Sequence, residues 1–206
     1  EDDDQVTTTP FNEFYDTRAY AYGLELLFKK TAGRSRGWIG YTYAKTMKHI
    51  QKHGWYFPLY DRTHTLNIVG DITISVKNNV HFSTAVQASS GQPFTPPIGR
   101  YDHWQADHDP YMPAWNWDEN FLVGRKNSER LPFYFRLDVG LKQKKSIFGI
   151  PYERYLQLVN VTNHVNPLTY QYRPKENRLT GETLGLERAA VPMFPFFFTA
   201  GYRIEL

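Results

Sequence analysis

The chain contains no cysteine. Disulfide frameworks and thiolate metal sites are therefore excluded, and the redox compartment leaves no mark on the sequence. It also lacks any run of about 18 consecutive apolar residues, so it encodes no transmembrane helix. An excess of charge is missing too: 24 Lys and Arg against 21 Asp and Glu leave a net charge of +3 over 206 residues. That balance offers no electrostatic argument for a nucleic-acid partner. The opening Glu1-Asp2-Asp3-Asp4 has neither the basic nor the apolar region of a secretory leader. The chain therefore reads as a mature or truncated product.

Aromatic residues, in contrast, are abundant. Fifteen Tyr, 14 Phe and 5 Trp make up 17% of the chain. A disordered chain carries far fewer, whereas a sugar-binding surface or a barrel with aromatic girdles carries this many. A mean hydropathy of −0.58 does not exclude a membrane barrel, in which only alternate residues of short strands face lipid.

Alternation is the strongest signal. From Phe196 to the terminus, Phe196, Phe198, Ala200, Tyr202, Ile204 and Leu206 share one face of a strand; Thr199, Gly201, Arg203 and Glu205 fall on the other. The same two-residue period recurs upstream over 17–30, 36–45, 62–75, 80–89 and 132–144. In the last of these, Phe133, Phe135, Leu137, Val139 and Leu141 oppose Tyr134, Arg136, Asp138, Gly140 and Lys142. A further strand over 152–161 is poorly phased: Leu156 and Leu158 share a face with Asn160, while Tyr155, Val159 and Val161 share one with Gln157, so a bulge is a reasonable expectation. Most of these seven strands reach the roughly 9–11 residues that a tilted strand needs to cross a bilayer. Soluble strands average nearer five or six.

Connection lengths alternate as well. Short segments follow strands one, three and five (31–35, 76–79 and 146–151), and long ones follow strands two, four and six (46–61, 90–131 and 162–195). Long structureless loops are uncommon in compact soluble domains, whereas short turns at one end and long loops at the other characterise outer-membrane barrels. The expected fold class is all-β: an antiparallel transmembrane β-barrel segment of about seven strands. Residues 1–16 form an extracellular loop and 17–206 form strands with long extracellular loops. An odd strand count and two edges left open in lipid point to a part of a larger barrel.

Five segments, DRTHTLNIVGDI (61–72), SGQPFTP (90–96), RLPFYFRLDVG (130–140), LQLVNVTNHVN (156–166) and the terminal strand, resemble the C-terminal barrel of TonB-dependent outer-membrane receptors, in that family's order and spacing. The resemblance covers most of the chain from Thr17 onward. It departs at Leu206, where the family usually ends in Phe or Trp, and in lacking the family's plug. It implies a barrel of about 22 strands, of which this chain is roughly the last third. It further implies active uptake across the outer membrane, with a plug and N-terminal barrel portion supplied elsewhere, TonB–ExbB–ExbD acting through the plug, and in some systems a surface lipoprotein.

The long segment 90–131 carries the densest set of binding residues: Tyr101-Asp102-His103-Trp104, Asp107-His108-Asp109-Pro110-Tyr111 and Trp115-Asn116-Trp117-Asp118. Rigid aromatic faces beside carboxylates and amides suit stacking on, and hydrogen bonding to, a polar ligand such as a sugar or peptide. The same aromatics serve equally well to pack a long loop against its neighbours. His103, Asp107, His108 and Asp109 include imidazole and carboxylate ligands, but loop spacing imposes no coordination geometry, and no metal or cofactor is expected. His49, His53 and Trp55 add contacts in the earlier loop. Asp61 and His64 stand where a loop enters a strand; with no nucleophile or oxyanion donor beside them they read as positioning groups, and no enzymatic activity is expected. By phase, Glu25, Asn67, Asp71, Gln87, Arg136, Asp138, Arg203 and Glu205 face the barrel lumen. Asn160-Val161-Thr162 matches a glycosylation sequon, which in this setting is accidental. The alternatives are a soluble all-β carbohydrate-binding module with a sandwich core and a small barrel closed by several copies.

Overall fold

A computed structural model describes residues 16–102, 119–177, 179 and 183–204. In chain order the strands are β1 (Thr17–Lys30), β2 (Ser35–Ile50), β3 (Gly54–Tyr56), β4 (His64–Ser75), β5 (Val80–Ser89), β6 (Pro93–Phe94), β7 (Pro97–Asp102), β8 (Glu119–Val123), β9 (Glu129–Arg130), β10 (Tyr134–Ile147), β11 (Ile150–Val159), β12 (Pro167–Glu176), β13 (Thr183–Pro192) and β14 (Phe197–Ile204). The described residues contain no helix.

Seven of these strands form one antiparallel sheet in the order β1-β2-β4-β5-β10-β11-β14, with β3 added beside the far end of β2. They correspond one for one to the seven strands expected from alternation, and β1 and β5 have the expected bounds. Among the described residues β1 and β14 each pair on one side only, so the sheet is open.

The register separates two faces. One continuous row runs Phe28–Ile39–Ile68–Val86–Leu137 and the next Leu26–Tyr41–Leu66–Ala88–Phe135. On β11 and β14 the same face continues through Leu156 with Ala200 and Leu158 with Phe198. The opposite face carries Glu25, Asn67, Asp71, Gln87, Arg136, Asp138 and Arg203, as the phase of each strand predicts. Glu205 lies outside the described residues.

The apolar face is bare. Leu24 is 56% exposed, Phe28 68%, Phe198 67% and Tyr202 74%. Among the described residues only Tyr56, Ala88 and Val159 are buried hydrophobics. A soluble sandwich buries its inner face against a second sheet; among the described residues no such layer covers this one. Strand formation follows from β-branched and aromatic residues on a pleated surface, but the burial that would normally stabilise the sheet is absent.

The three short connections are tight turns. Phe148 and Gly149, both at positive φ (52° and 80°), join β10 to β11 as the paired left-handed residues of a type I′ hairpin do. The long connections differ from expectation in carrying strands of their own. β2 runs on to Ile50 and turns back into β3, the segment from 90 to 133 contains β6 to β9, and the segment from 160 to 196 contains the β12–β13 hairpin. β11 shows no register shift. Its apparent phase conflict disappears because the strand stops at Val159: Asn160 is left-handed (φ 52°) and no longer takes part in the alternation.

Candidate functional site

The polar face and the long connections that rise from it form the candidate site. Toward the short-turn end, opposite charges interleave across five strands. The Asp71 carboxylate lies 3.2 Å from His81 Nδ1 and 3.7 Å from Lys142 Nζ. The Glu153 carboxylate lies 3.6 Å from Lys144 Nζ and 3.9 Å from Arg203. These pairs are partly exposed and contribute little stability each.

Near the start of β10, Arg136 makes a forked contact with Asp138, at 2.9 Å and 3.0 Å from Nε. Asp138 also accepts the Asn160 backbone N–H at 2.9 Å. Asn160 is 1% exposed, and its side-chain amide donates to the His164 and Phe194 carbonyls while its Oδ1 accepts the His164 N–H. Asn166 brackets Phe135, accepting its N–H at 2.9 Å and donating to its C=O at 2.8 Å. In this way a side chain continues the β-ladder beyond the end of β11 and fixes where the third long connection departs. The burial of Asn160 also closes the sequon to any glycosylating enzyme.

At the long-connection end, Asp61 is the organising group. It is 3% exposed, accepts the Thr46 N–H at 2.8 Å, and pairs with Arg130 at 2.5 Å. Arg130 donates in addition to the Gly91 carbonyl at 3.0 Å. Asn127, at φ 51°, receives the Thr95 hydroxyl on Oδ1 at 3.2 Å and donates to the Phe57 carbonyl at 2.6 Å. The first two long connections are thereby tied together through buried polar contacts. His64 Nδ1 instead meets the Tyr41 hydroxyl at 2.8 Å, so Asp61 and His64 serve different partners and form no pair. Gly91 is required by close approach: a Cβ there would lie 1.6 Å from the Leu131 carbonyl oxygen.

The hairpins β7–β8 and β12–β13 enclose a cleft of about 600 Å3 lined by Pro97, Ile98, Gly99, Tyr172, Leu186 and Arg188, with Gly185 at its edge. Arg188 lies over the Tyr170 ring at 4.7 Å and 3.6 Å from Glu129. Tyr101 and Asp102 belong to β7, so the aromatic segment leaves from the tip of this hairpin. His103, Trp104, Asp107, His108, Tyr111, Trp115 and Trp117 lie outside the described residues. Trp55 is placed differently from the loop position its sequence context suggests. It sits in β3, 5.1 Å from the Tyr20 ring and 5.2 Å from His49, in a row on the apolar face that continues through Tyr22 to Tyr43.

Arg130, Asn127, Asn166 and Arg188 were not marked by sequence pattern. Their roles depend on partners 31 to 70 positions away, which no local period encodes. The Asn residues at 127, 160 and 163, each at positive φ, carried the one usable hint, since asparagine tolerates left-handed backbone better than other side chains. Among the described residues no three His, Asp or Glu side chains converge as a metal site. Compared with protein families, with characterised proteins and with solved structures, the chain shows no match.

Proposed function

We propose that this chain is wall and loop material from the C-terminal part of a TonB-dependent receptor barrel, serving active uptake of a glycan, peptide or metal chelate across an outer membrane. The observation that carries the reading is the bare apolar face, spanning all seven strands of the open sheet, opposite a continuous polar face. Lipid satisfies the first face and an aqueous lumen the second, so a sheet without a core becomes stable. The aromatic row of Tyr20, Tyr22, Tyr43 and Trp55 at the long-connection end fits a membrane–water interface. The connections at that end, rich in aromatic and charged residues, face outward and capture ligand. The rest of the barrel closes on the open edges of β1 and β14, and a plug coupled to TonB–ExbB–ExbD fills the lumen. The chain performs no covalent chemistry in this reading.

The test is native mass in detergent, repeated after denaturation. The expected result is a 24.2 kDa chain released from a larger particle that contains further barrel strands. A monodisperse 24.2 kDa monomer, stable without detergent, would overturn the reading and leave a soluble sheet protein.

A further inference from the structure

Five cations at the long-connection end rest on aromatic rings. Lys48 Nζ lies 5.4 Å from the centre of the Tyr60 ring, Lys126 Nζ 4.6 Å from Tyr56, and Lys45 Nζ 5.8 Å from Phe57. The Arg62 guanidinium lies 5.8 Å from Tyr134 and that of Arg130 4.6 Å from Phe57. The five form one neighbourhood. Phe57 touches both Lys45 and Arg130, Asn127 beside Lys126 binds the Phe57 carbonyl, and Arg62 follows the Arg130 partner Asp61.

A ring attracts a cation but does not neutralise it. Among the described residues Asp61 is the one carboxylate paired within this group, and Arg130 takes it. No carboxylate of the described residues lies within ion-pair distance of Lys45, Lys48, Arg62 or Lys126. At the short-turn end, by comparison, Asp71 and Glu153 each face two basic groups. Lys48 shares the polar face with Tyr56, its register partner, and Arg62 reaches the same face through a 2.6 Å bond to the Ser89 hydroxyl. Tyr60 is exposed and offers its other side to a ligand.

We infer that this cluster is an anion-binding patch whose ligand is an acidic oligosaccharide. Several fixed positive charges spread along a mouth recognise a ligand with repeated carboxylates, and the exposed ring of Tyr60 accepts the C–H face of a sugar ring. The inference rests on the receptor reading, since it takes the long-connection end to be the ligand-facing one, and it narrows the ligand from the broad class proposed above.

The experiment uses the intact particle in detergent and titrates oligogalacturonate, a neutral malto-oligosaccharide of equal length and a poly-aspartate peptide by calorimetry. Oligogalacturonate should bind, the neutral glycan at least tenfold more weakly, and affinity should fall steeply as NaCl is raised from low to physiological levels. Lys48→Gln combined with Lys126→Gln should weaken uronate binding at least tenfold, while Lys29→Gln at the short-turn end should leave it unchanged. Equal affinity for neutral and acidic glycans, salt independence, or a double variant that binds as well as the parent would overturn the inference. Tighter binding of poly-aspartate than of the uronate would overturn the saccharide assignment in favour of an acidic peptide. Should the double variant fail to fold, the glycan comparison and salt series on the parent still decide. A large detergent particle that ignores uronate refutes the patch alone; a lone water-soluble chain that binds it refutes the receptor reading alone.

Discussion

At Asn160 the backbone turns left-handed while the side chain, fully buried, bonds the carbonyls of His164 and Phe194. Glycine would keep the turn and lose the bonds; alanine would lose both. Asn160→Ala should therefore destabilise more than Asn160→Gly, by about 1 kcal/mol for the strained φ, as read from urea unfolding in detergent. Equal losses would show that the backbone conformation contributes nothing. Asp61 makes a comparable case. Its removal in Asp61→Ala leaves the Thr46 N–H and the Arg130 guanidinium without their acceptor. The expected cost is about 2–3 kcal/mol, toward the low end for a broken pair because Arg130 retains some access to water. The same variant should lower ligand affinity, since Asp61 ties the connections that carry the cationic patch.

At the scale of elements, the two faces make opposite predictions for substitutions at neighbouring positions. Leu24 is more than half exposed. On a soluble protein Leu24→Lys would change stability by no more than about 0.5 kcal/mol. On a lipid-facing strand it should cost about 2–4 kcal/mol near the bilayer midplane. Refolding into lipid vesicles with urea titration distinguishes the two, with Glu25→Gln on the polar face as the near-neutral comparison. Six of the seven sheet strands were legible in the sequence through their alternation, the 152–161 strand was placed without an assignment of its faces, and the polar-face residues from Glu25 to Arg203 followed from phase alone. The β12–β13 hairpin was not legible. Pro167, Pro174 and Pro192 interrupt it, and proline belongs to edge strands and turns more often than to sheet interiors. β3 escaped for a different reason: three residues are too few for any period, and its position depends on pairing with Lys48 to Ile50. Of the candidate site, the aromatic segment from Tyr101 to Trp117 stands out in composition, and from position 103 it lies outside the described residues. The cationic patch does not stand out, because Lys45, Lys48, Arg62, Lys126 and Arg130 come together only through the fold.

For the molecule as a whole, the 14 residues of β1 pair with β2 along one side only. From Arg18 onward the alternate N–H groups on the other side have no strand partner among the described residues. In a closed barrel they are bonded to a further strand. Amide hydrogen exchange on the native particle should therefore show protection at every position of β1, not only at those turned toward β2. Protection that alternates along β1 would mean that the edge remains open in solution and that the barrel closes elsewhere.

Among the described residues no second layer covers the apolar face of the sheet, so along its strands tolerance to change cannot grade from surface to centre. Consecutive positions along β10 answer to different surroundings: Leu137 and Val139 to one, Arg136 and Asp138 to the other. A complete substitution map of this chain should accordingly be striped. Positions that reject charge would alternate, residue by residue, with positions that accept it, and the stripes would end where the strands do.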